Sequence, residues 1–365
     1  MKIASIIKVL ETLAPPSLQE QYDNAGLITG QAEWACSGVL CALDSTESIV
    51  EEAIQKKCNL IIAHHPIVFS GIKKLNGKNY VERTVIAAIK NDIAIYAIHT
   101  NLDNVITGVN GRMADKLELV NRKVLQAKDA TLKKIFCFAP RQHADQVRQA
   151  IFDAGAGHIG NYAECSFGTE GIGTFKAGEG ANPFIGNIGQ LHREPETKIE
   201  VVFPSYLESA VVDAMLRAHP YEEVAYDIVS VDNRHGAIGS GLVGDLPAAL
   251  GERDLMEMLK NRFGLRVVRH SAFLNRPIRR LAICGGAGSF LISRALMAGA
   301  DAFITADLKY HEFFDADGKL LLCDIGHFES EQFTIGLLVE HLLEKFPTFA
   351  VLKSEINTNP VNYYF

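Results

Sequence analysis

The chain has 365 residues, of which 48% are hydrophobic, and a formal net charge of -7 at pH 7. This length predicts about two domains, and the apolar content is sufficient to build sizeable cores. The acidic balance and the lack of a basic stripe argue against a large nucleic-acid-binding surface.

The N-terminus and the cysteines together predict a cytoplasmic protein. Residues 1–11 have charges at helical spacing and no small-residue cleavage site, so they predict an amphipathic helix rather than a signal peptide. No apolar run approaches the roughly 20 residues that span a bilayer. The seven cysteines are scattered and never in C-x-x-C spacing, which favours reduced core residues over a cysteine-type zinc site.

Residues 1–128 are predicted to alternate between helices and strands. The predicted helices are 3–14, 46–57, about 80–91 and 108–119, and the predicted strands are 39–44, 59–63 and 93–98. These strands are apolar on both faces, which indicates a largely parallel sheet covered by helices on both sides. We assign this segment to the first half of a core α/β domain.

The rhythm changes between residues 129 and 235. Strand patterns at 133–139, 163–176, 199–203 and 223–231 are interspersed with helix patterns at 143–154 and 207–218, and 179–189 has the composition of a loop. This β-α-β-β-α-β order is that of a ferredoxin-like α+β domain. We therefore predict a separate inserted domain.

The α/β rhythm returns over residues 236–365, with predicted strands at 278–284, 302–305 and 349–353 and helices at 289–298 and 329–345. Residues 53–65 align without gaps with residues 295–307, and both segments run from a helix end through a strand to a polar exit. The simplest fold class is α/β, with two similar halves forming one core domain around the insert.

Histidines follow two of the apolar strands. His64 and His65 end the strand at 59–63, and His99, followed by Asp103, ends the strand at 93–98. A turn beyond a strand end lets neighbouring imidazoles reach two different metal ions. The alternatives are a polar strand end before Pro66 for the doublet, and a helix cap with its loop for His99 and Asp103.

A third pair lies near the C-terminus. His327 and Glu331 are four residues apart and share one helical face, although acidic residues are also common at helix starts. Sites in open α/β sheets form at the carboxyl ends of strands, where all three groups are predicted to lie. The three groups together predict a dinuclear site of the kind that hydrolytic enzymes use.

Two further segments are weaker candidates. Gly285 and Gly286 lie between a strand and a helix and could bind a substrate phosphate through backbone N–H groups, or simply form a tight turn. His311 follows the strand at 302–305 and could donate a proton at the site, or belong to an ordinary loop. The chain has no Gly-x-Ser-x-Gly elbow, which disfavours a serine nucleophile.

Four motifs resemble those of the NIF-three-like proteins, which are often labelled GTP cyclohydrolase 1 type 2 homologues. They are Tyr22-Asp-Asn-Ala-Gly-Leu27, Ala63-His-His-Pro66, His99-Thr-Asn-Leu-Asp103 and Gly326-His-Phe-Glu-Ser-Glu331. The middle part, with 219–227, resembles the PII/CutA-like insert of the long bacterial members. Tyr22 is a departure, because Trp is usual at that position.

The resemblance implies metal ligation by His64, His65, Asp103, His327 and Glu331, two divalent ions per chain, and a toroidal homohexamer with metal sites facing its inner cavity. Imidazole and carboxylate ligands suit Zn, Fe or Mn. Two such ions would lower the pKa of a bound water, which is the nucleophile we expect.

Two functions stay open at this point. The first is a metal-dependent hydrolase, of cyclohydrolase or phosphohydrolase type, acting on a nucleotide-like small molecule. The second is a regulatory or metal-handling assembly protein, in which the insert senses a ligand and the core is a platform.

Overall fold

The computed structural model describes residues 1–364, which form two compact units. The core unit contains Met1–Ala127 and the chain from Ala237 onward, and the middle unit contains Lys128–Gly236. Phe365, the last residue of the predicted third segment, lies outside the described residues.

The first part of the core unit alternates helices and strands. Its elements are α1 (Ile3–Leu13), β1 (Gly26–Thr29), β2 (Val39–Ala42), α2 (Glu47–Gln55), β3 (Leu60–Ala63), α3 (Tyr80–Lys90), β4 (Ala94–Ala97), α4 (Thr100–Asp103), α5 (Val109–Lys116) and β5 (Val120–Ala127). Every residue of β2, β3 and β4 is buried, as expected for strands covered on both faces. The strands therefore read as continuous apolar runs.

The middle unit is an antiparallel sheet with two helices. Its elements are β6 (Leu132–Pro140), α6 (Ala144–Asp153), β7 (Phe167–Lys176), β8 (Leu191–Pro204), α7 (Glu208–Ala218) and β9 (Tyr226–Ser230). The strand order is β7-β8-β6-β9. Alternate residues of β6 and β8 pack against both helices in one apolar cluster, so one face of the sheet carries this unit's core.

The second part of the core unit resumes the α/β pattern. Its elements are β10 (Gly239–Leu250), α8 (Glu252–Phe263), β11 (Arg269–His270), β12 (Ile278–Ala287), α9 (Ile292–Met297), β13 (Ala302–Ala306), β14 (Leu321–Asp324), α10 (His327–Glu331), α11 (Thr334–Lys345) and β15 (Val351–Lys353). Among residues 1–364, no helix is long and apolar enough to cross a membrane.

Two sheets organise the core unit. One has the order β1-β4-β3-β2-β15 and the other β11-β14-β13-β12-β10-β5. Within them, β2-β3-β4 and β12-β13-β14 are parallel trios. The aligned segments 53–65 and 295–307 contain β3 and β13, the middle strand of each trio. Each sheet therefore gathers the polar exits of its parallel strands at one end.

Several elements differ from the sequence-based expectation. The predicted helix 329–345 is two helices, α10 and α11. The break between them is held by tertiary contacts with α8, because the Gln332 amide donates to the Phe263 carbonyl at 3.0 Å and the Phe333 and Phe263 rings lie 5.5 Å apart. The predicted strand 199–203 is only the end of β8, whose first half is largely exposed and lacks an apolar run.

We expect a shortened chain that joins residue 127 to residue 237 through a short linker to remain folded. Ala127 of β5 lies opposite Gly239 of β10 in an antiparallel pair, so a hairpin turn can replace the middle unit. Circular dichroism during heating should show one cooperative transition. A chain without cooperative unfolding would mean that the core unit depends on residues 128–236.

Candidate metal centre

Four imidazoles and two carboxylates gather where parallel strands of both sheets end. His64 and His65 follow β3, His99 follows β4, Asp103 ends α4, and His327 and Glu331 lie on α10 just after β14. Side chains converge there because parallel strands present their carboxyl ends at one edge of a sheet. The structure thus brings together all five residues that the resemblance suggested as ligands.

Glu331 is at the centre of the cluster. Its Oε2 atom lies 2.9 Å from Nε2 of His65, 3.1 Å from Nε2 of His327 and 3.9 Å from Nε2 of His64. Nε2 of His64 also lies 3.7 Å from Oδ1 of Asp103. Two overlapping triplets, His64-His65-His99 and His65-His327-Glu331, have ligand atoms within 4.8 Å of one another and could hold a metal ion.

Three of these ligand atoms are buried without a hydrogen-bond partner among the described residues. They are Nε2 of His64, Oδ1 of Asp103 and Oε2 of Glu331. An unsatisfied buried polar atom costs on the order of 1–3 kcal/mol, and more if the group is charged. A cation placed among the three would satisfy them all, so the donor set fits a bound metal.

Each imidazole uses its other nitrogen to hold its orientation. The Nδ1 atoms of His64, His65, His99 and His327 lie 2.6–2.8 Å from the Ile98 carbonyl and from the carboxylates of Asp44, Asp23 and Asp307, respectively. Nδ1–H donates in these pairs, so Nε2 faces the cluster and offers a lone pair to a metal ion once it carries no proton. Metal-binding histidines are typically oriented in this way.

The acceptors of these hydrogen bonds are themselves held in place. Asp44 accepts a second hydrogen bond at 2.5 Å from the Thr358 hydroxyl, in the C-terminal segment. Asp23 accepts from the backbone N–H and the hydroxyl of Thr100. Asp307 has a positive φ of 57°, a conformation that costs energy in a residue with a side chain. The surrounding structure therefore fixes the imidazoles in position.

The imidazoles differ in proton affinity. Burial lowers the pKa of His64 to about 3, so this ring is neutral and ready to coordinate. Burial also opposes the charge on His65, but Asp44 and Glu331 outweigh it and raise its pKa to about 9. In the same way Asp307 and Glu331 overcome burial and raise the pKa of His327 to about 11. Two of the candidate ligands would therefore have to lose a proton before they could bind a metal.

The two carboxyl groups are shifted in opposite directions. Burial and the neighbouring Glu331 charge raise the pKa of Asp103 well above its usual range. Burial also acts to raise the pKa of Glu331, but the hydrogen bonds from His327 and His65 outweigh burial and hold this pKa well below the usual range. The carboxyls thus repel each other unless positive charge is placed between them.

The cluster is bordered by two cavities. The first, of about 480 Å³, is lined by Asp103, Glu331 and the exposed rings of Tyr22 and Phe290. The second, of about 430 Å³, is lined by His65 and residues of the C-terminal segment. His327 lines both. A small molecule in the first cavity would therefore lie next to the candidate ligands.

The hydrogen bonds of Gly285 and Gly286 do not support their predicted role as an anion site. Both line the first cavity, but their N–H groups donate at 2.9 Å to Asn110 and Ser330 and are not available to a phosphate. Their role is spatial, because a Cβ on Gly286 would lie 2.4 Å from Oε1 of Glu331. The two glycines let β12 pass directly beside the cluster.

His311 does not join the cluster. Its exposed ring lies 5.1 Å from that of Tyr310, and it lines neither cavity. The short 3-10 helix Tyr310–Ala316 carries it away from the strand end, so we find no support for His311 as a proton donor.

The ligand set implied by the resemblance omitted His99, and the sequence-based interpretation gave no role to Asp23, Asp44 or Asp307. A usable signal exists for two of the carboxylates, since Asp307 directly follows the buried strand β13 and Asp44 lies two residues after the buried strand β2. The role of Asp23 could not be found in this way, because its contact with His99 joins residues 76 positions apart.

The profile of the Duf34/NIF3 (NGG1p interacting factor 3) family matches residues 1–360. The chain belongs to the Duf34/NIF3 family. Two relatives are named GTP cyclohydrolase 1 type 2 homolog. The one from Bacillus subtilis is 37% identical over 363 residues, covering 98% of this chain and 97% of the relative. The one from Halalkalibacterium halodurans is 39% identical over 373 residues, covering the full length of both.

A solved structure confirms the Duf34/NIF3 fold. The Bacillus cereus protein related to NIF3 superposes with a TM-score of 0.88 at 37% identity, covering 100% of this chain and 99% of that one. The predicted family is therefore confirmed over the whole chain.

Metal loading should release protons near neutral pH. The imidazoles of His65 and His327, with pKa values of about 9 and 11, carry protons at pH 7 that coordination must remove. Metal affinity should therefore rise most steeply with pH below the pKa of His65 and less steeply between that pKa and the pKa of His327. Calorimetric zinc titrations in buffers of different ionisation enthalpy should give a release of about two protons or more. An affinity that is independent of pH between 6 and 9 would contradict this.

Substitution of the carboxylate behind His65 should weaken metal binding. Asp44→Asn preserves the shape but removes the charge that orients His65, so affinity should fall about tenfold to a hundredfold. The matched control is Asp92→Asn, an exposed residue of the same unit. Competition with a chromogenic chelator gives both affinities, and equal values for the two variants would rule out this role for Asp44.

Proposed function

We propose that this Duf34/NIF3 protein binds two divalent ions and is a metal-dependent hydrolase of a nucleotide-like small molecule. The proposal rests on three buried atoms of His64, Asp103 and Glu331 that have no hydrogen-bond partner among the described residues. The proposed ligands are these three residues with His65 and His327. Zn, Fe or Mn would suit such a set.

Glu331 would be the central ligand of the metal centre. Its Oε2 atom approaches three imidazoles, whereas Asp103 approaches His64 alone among them. The two triplets overlap at His65, whose Nε2 can bind only one ion, so His65 would serve either the His64 side or the His327 side of the centre. His99, oriented by Asp23, is a further candidate on the side of His64.

When bound, two divalent ions activate water and polarise the group that it attacks. The protein's own contribution is orientation and desolvation. Asp44, Asp23 and Asp307 aim the imidazoles, and burial of Glu331, which is 3% exposed, keeps competing water from its carboxylate. The Tyr22 and Phe290 rings offer stacking faces for a planar base at the mouth of the first cavity.

The first cavity also limits where a substrate can carry its charge. Among the described residues, neither Lys nor Arg lines it. An anionic group of the substrate would therefore depend on the bound cations for compensation. This supports a base-like body held by the aromatic rings with its reacting group at the metal centre.

A regulatory or metal-handling role is the second candidate. It is supported by the middle unit, a separate compact body with a cavity of its own. We propose that this unit is an inserted ferredoxin-like domain, because its elements run β-α-β-β-α-β with the sheet order β9-β6-β8-β7. The homohexamer stays a prediction, which light scattering of the full chain would test.

The name shared by the two relatives suggests the first substrate to test. Metal-loaded protein is incubated with GTP, and formate and phosphate are assayed separately. Formate would support a cyclohydrolase and phosphate alone a phosphohydrolase. Asp103→Asn, nearly isosteric, should lower turnover by about a hundredfold or more without loss of the fold, because it removes a proposed ligand. Asp92→Asn serves as the control.

Elemental analysis must accompany this assay. Two metal ions per chain in the parent protein and fewer in Asp103→Asn would support the proposed ligand set. If GTP, other nucleotides and small esters all turn over no faster than with Asp103→Asn, the hydrolase proposal fails. Tight metal binding would then leave the regulatory or metal-handling role.

A further inference from the structure

The middle unit contains a cavity of about 490 Å³ that is independent of the metal centre. Four aromatic rings line it, those of Phe138, Phe175, Phe184 and Tyr221. The Phe175 and Phe184 rings lie 6.0 and 6.3 Å from that of Tyr221. This volume falls within the usual range for sites that bind small molecules.

A buried carboxylate lies in the wall of this cavity. Glu196 of β8 is only 8% exposed, and its Oε1 accepts a hydrogen bond of 2.9 Å from the Tyr221 hydroxyl. Among the described residues, that hydroxyl is its single hydrogen-bonding side chain. Gly173 of β7 makes room for the other oxygen, since a Cβ there would lie 2.0 Å from Oε2.

No positive side chain compensates Glu196 within the cavity. Glu222 and Glu223 also line it, whereas Lys and Arg are absent from its described lining. The nearby His219 is neutral, because burial lowers its pKa and its Nδ1 accepts a hydrogen bond from the Tyr221 backbone N–H at 3.1 Å. Burial and the adjoining carboxylate raise the pKa of Tyr221, so its hydroxyl stays protonated and donates.

An uncompensated buried carboxylate is costly unless a cation pairs with it. Aromatic faces attract cations as well, most strongly where water is excluded. Phosphate-bearing ligands are disfavoured, because three glutamates would repel them and no basic side chain of the lining would bind them. The negative charge and the aromatic walls of this cavity therefore both favour a cationic ligand.

We propose that this cavity binds a small organic cation, an ammonium or guanidinium group carried on an apolar body. The cationic group pairs with the carboxylate of Glu196, and the apolar body packs among Phe175, Phe184 and Tyr221. Phe184 belongs to the loop between β7 and β8. This loop is tied to the opposite wall by the Asn182 N–H, which donates to the Glu222 carboxylate at 2.8 Å.

Titration calorimetry of the full chain with phenethylammonium tests the proposal. We expect saturable binding at one site per chain, with no comparable binding of the neutral phenethyl alcohol or of the anionic phenylacetate. Glu196→Gln keeps an acceptor for Tyr221 but removes the charge, and should weaken binding at least about tenfold. Glu200→Gln, on the same strand but outside the cavity, should bind as the parent does.

A second variant keeps the proposal testable if Glu196→Gln fails to fold. Phe184 is 55% exposed, so Phe184→Ala should leave the fold intact and weaken phenethylammonium binding several-fold. Equal affinity for phenethyl alcohol, unchanged binding in both variants, or tighter binding of ATP would overturn the proposal. So would the finding that Glu196→Gln changes only the oligomeric mass, since a second copy of the chain would then be the occupant.

Discussion

Burial of the Glu331 carboxylate is the constraint on which the core of this protein depends. A charged group that is 3% exposed must be compensated nearby, and three imidazoles approach its Oε2 within 3.9 Å. Two of these imidazoles follow β3 and the third lies on α10, after β14. The centre therefore exists only when both sheets have formed and met.

Residues around Glu331 leave room for its side chain and orient the imidazoles that contact it. Gly286 leaves the space that Glu331 occupies, and Asp307, in a left-handed conformation, orients His327. His65 and Asp307 hold equivalent positions in the two aligned segments, and both face the cluster. The repeated strand-and-exit unit thus supplies a metal-ligand candidate in one half and its supporting carboxylate in the other.

The middle unit also has a buried carboxylate, but in different surroundings. Glu196 is also a buried carboxylate, but aromatic rings and one phenolic hydroxyl surround it instead of imidazoles. Imidazole nitrogens suit a metal ion, which needs directional lone pairs. Aromatic faces suit a diffuse organic cation, which they attract without directional bonds. The two carboxylates would thus select different cations within one chain.

The sequence by itself determined the family, the alternation of helices and strands in the core, and the positions of His64, His65, Asp103, His327 and Glu331. These features are local, since apolar runs fix the strands and polar residues directly follow them. Tertiary structure alone decided the partners of the imidazoles, the break between α10 and α11 and the engagement of the Gly285 and Gly286 N–H groups. Each of these depends on contacts between residues far apart in the chain, which periodicity and spacing cannot encode.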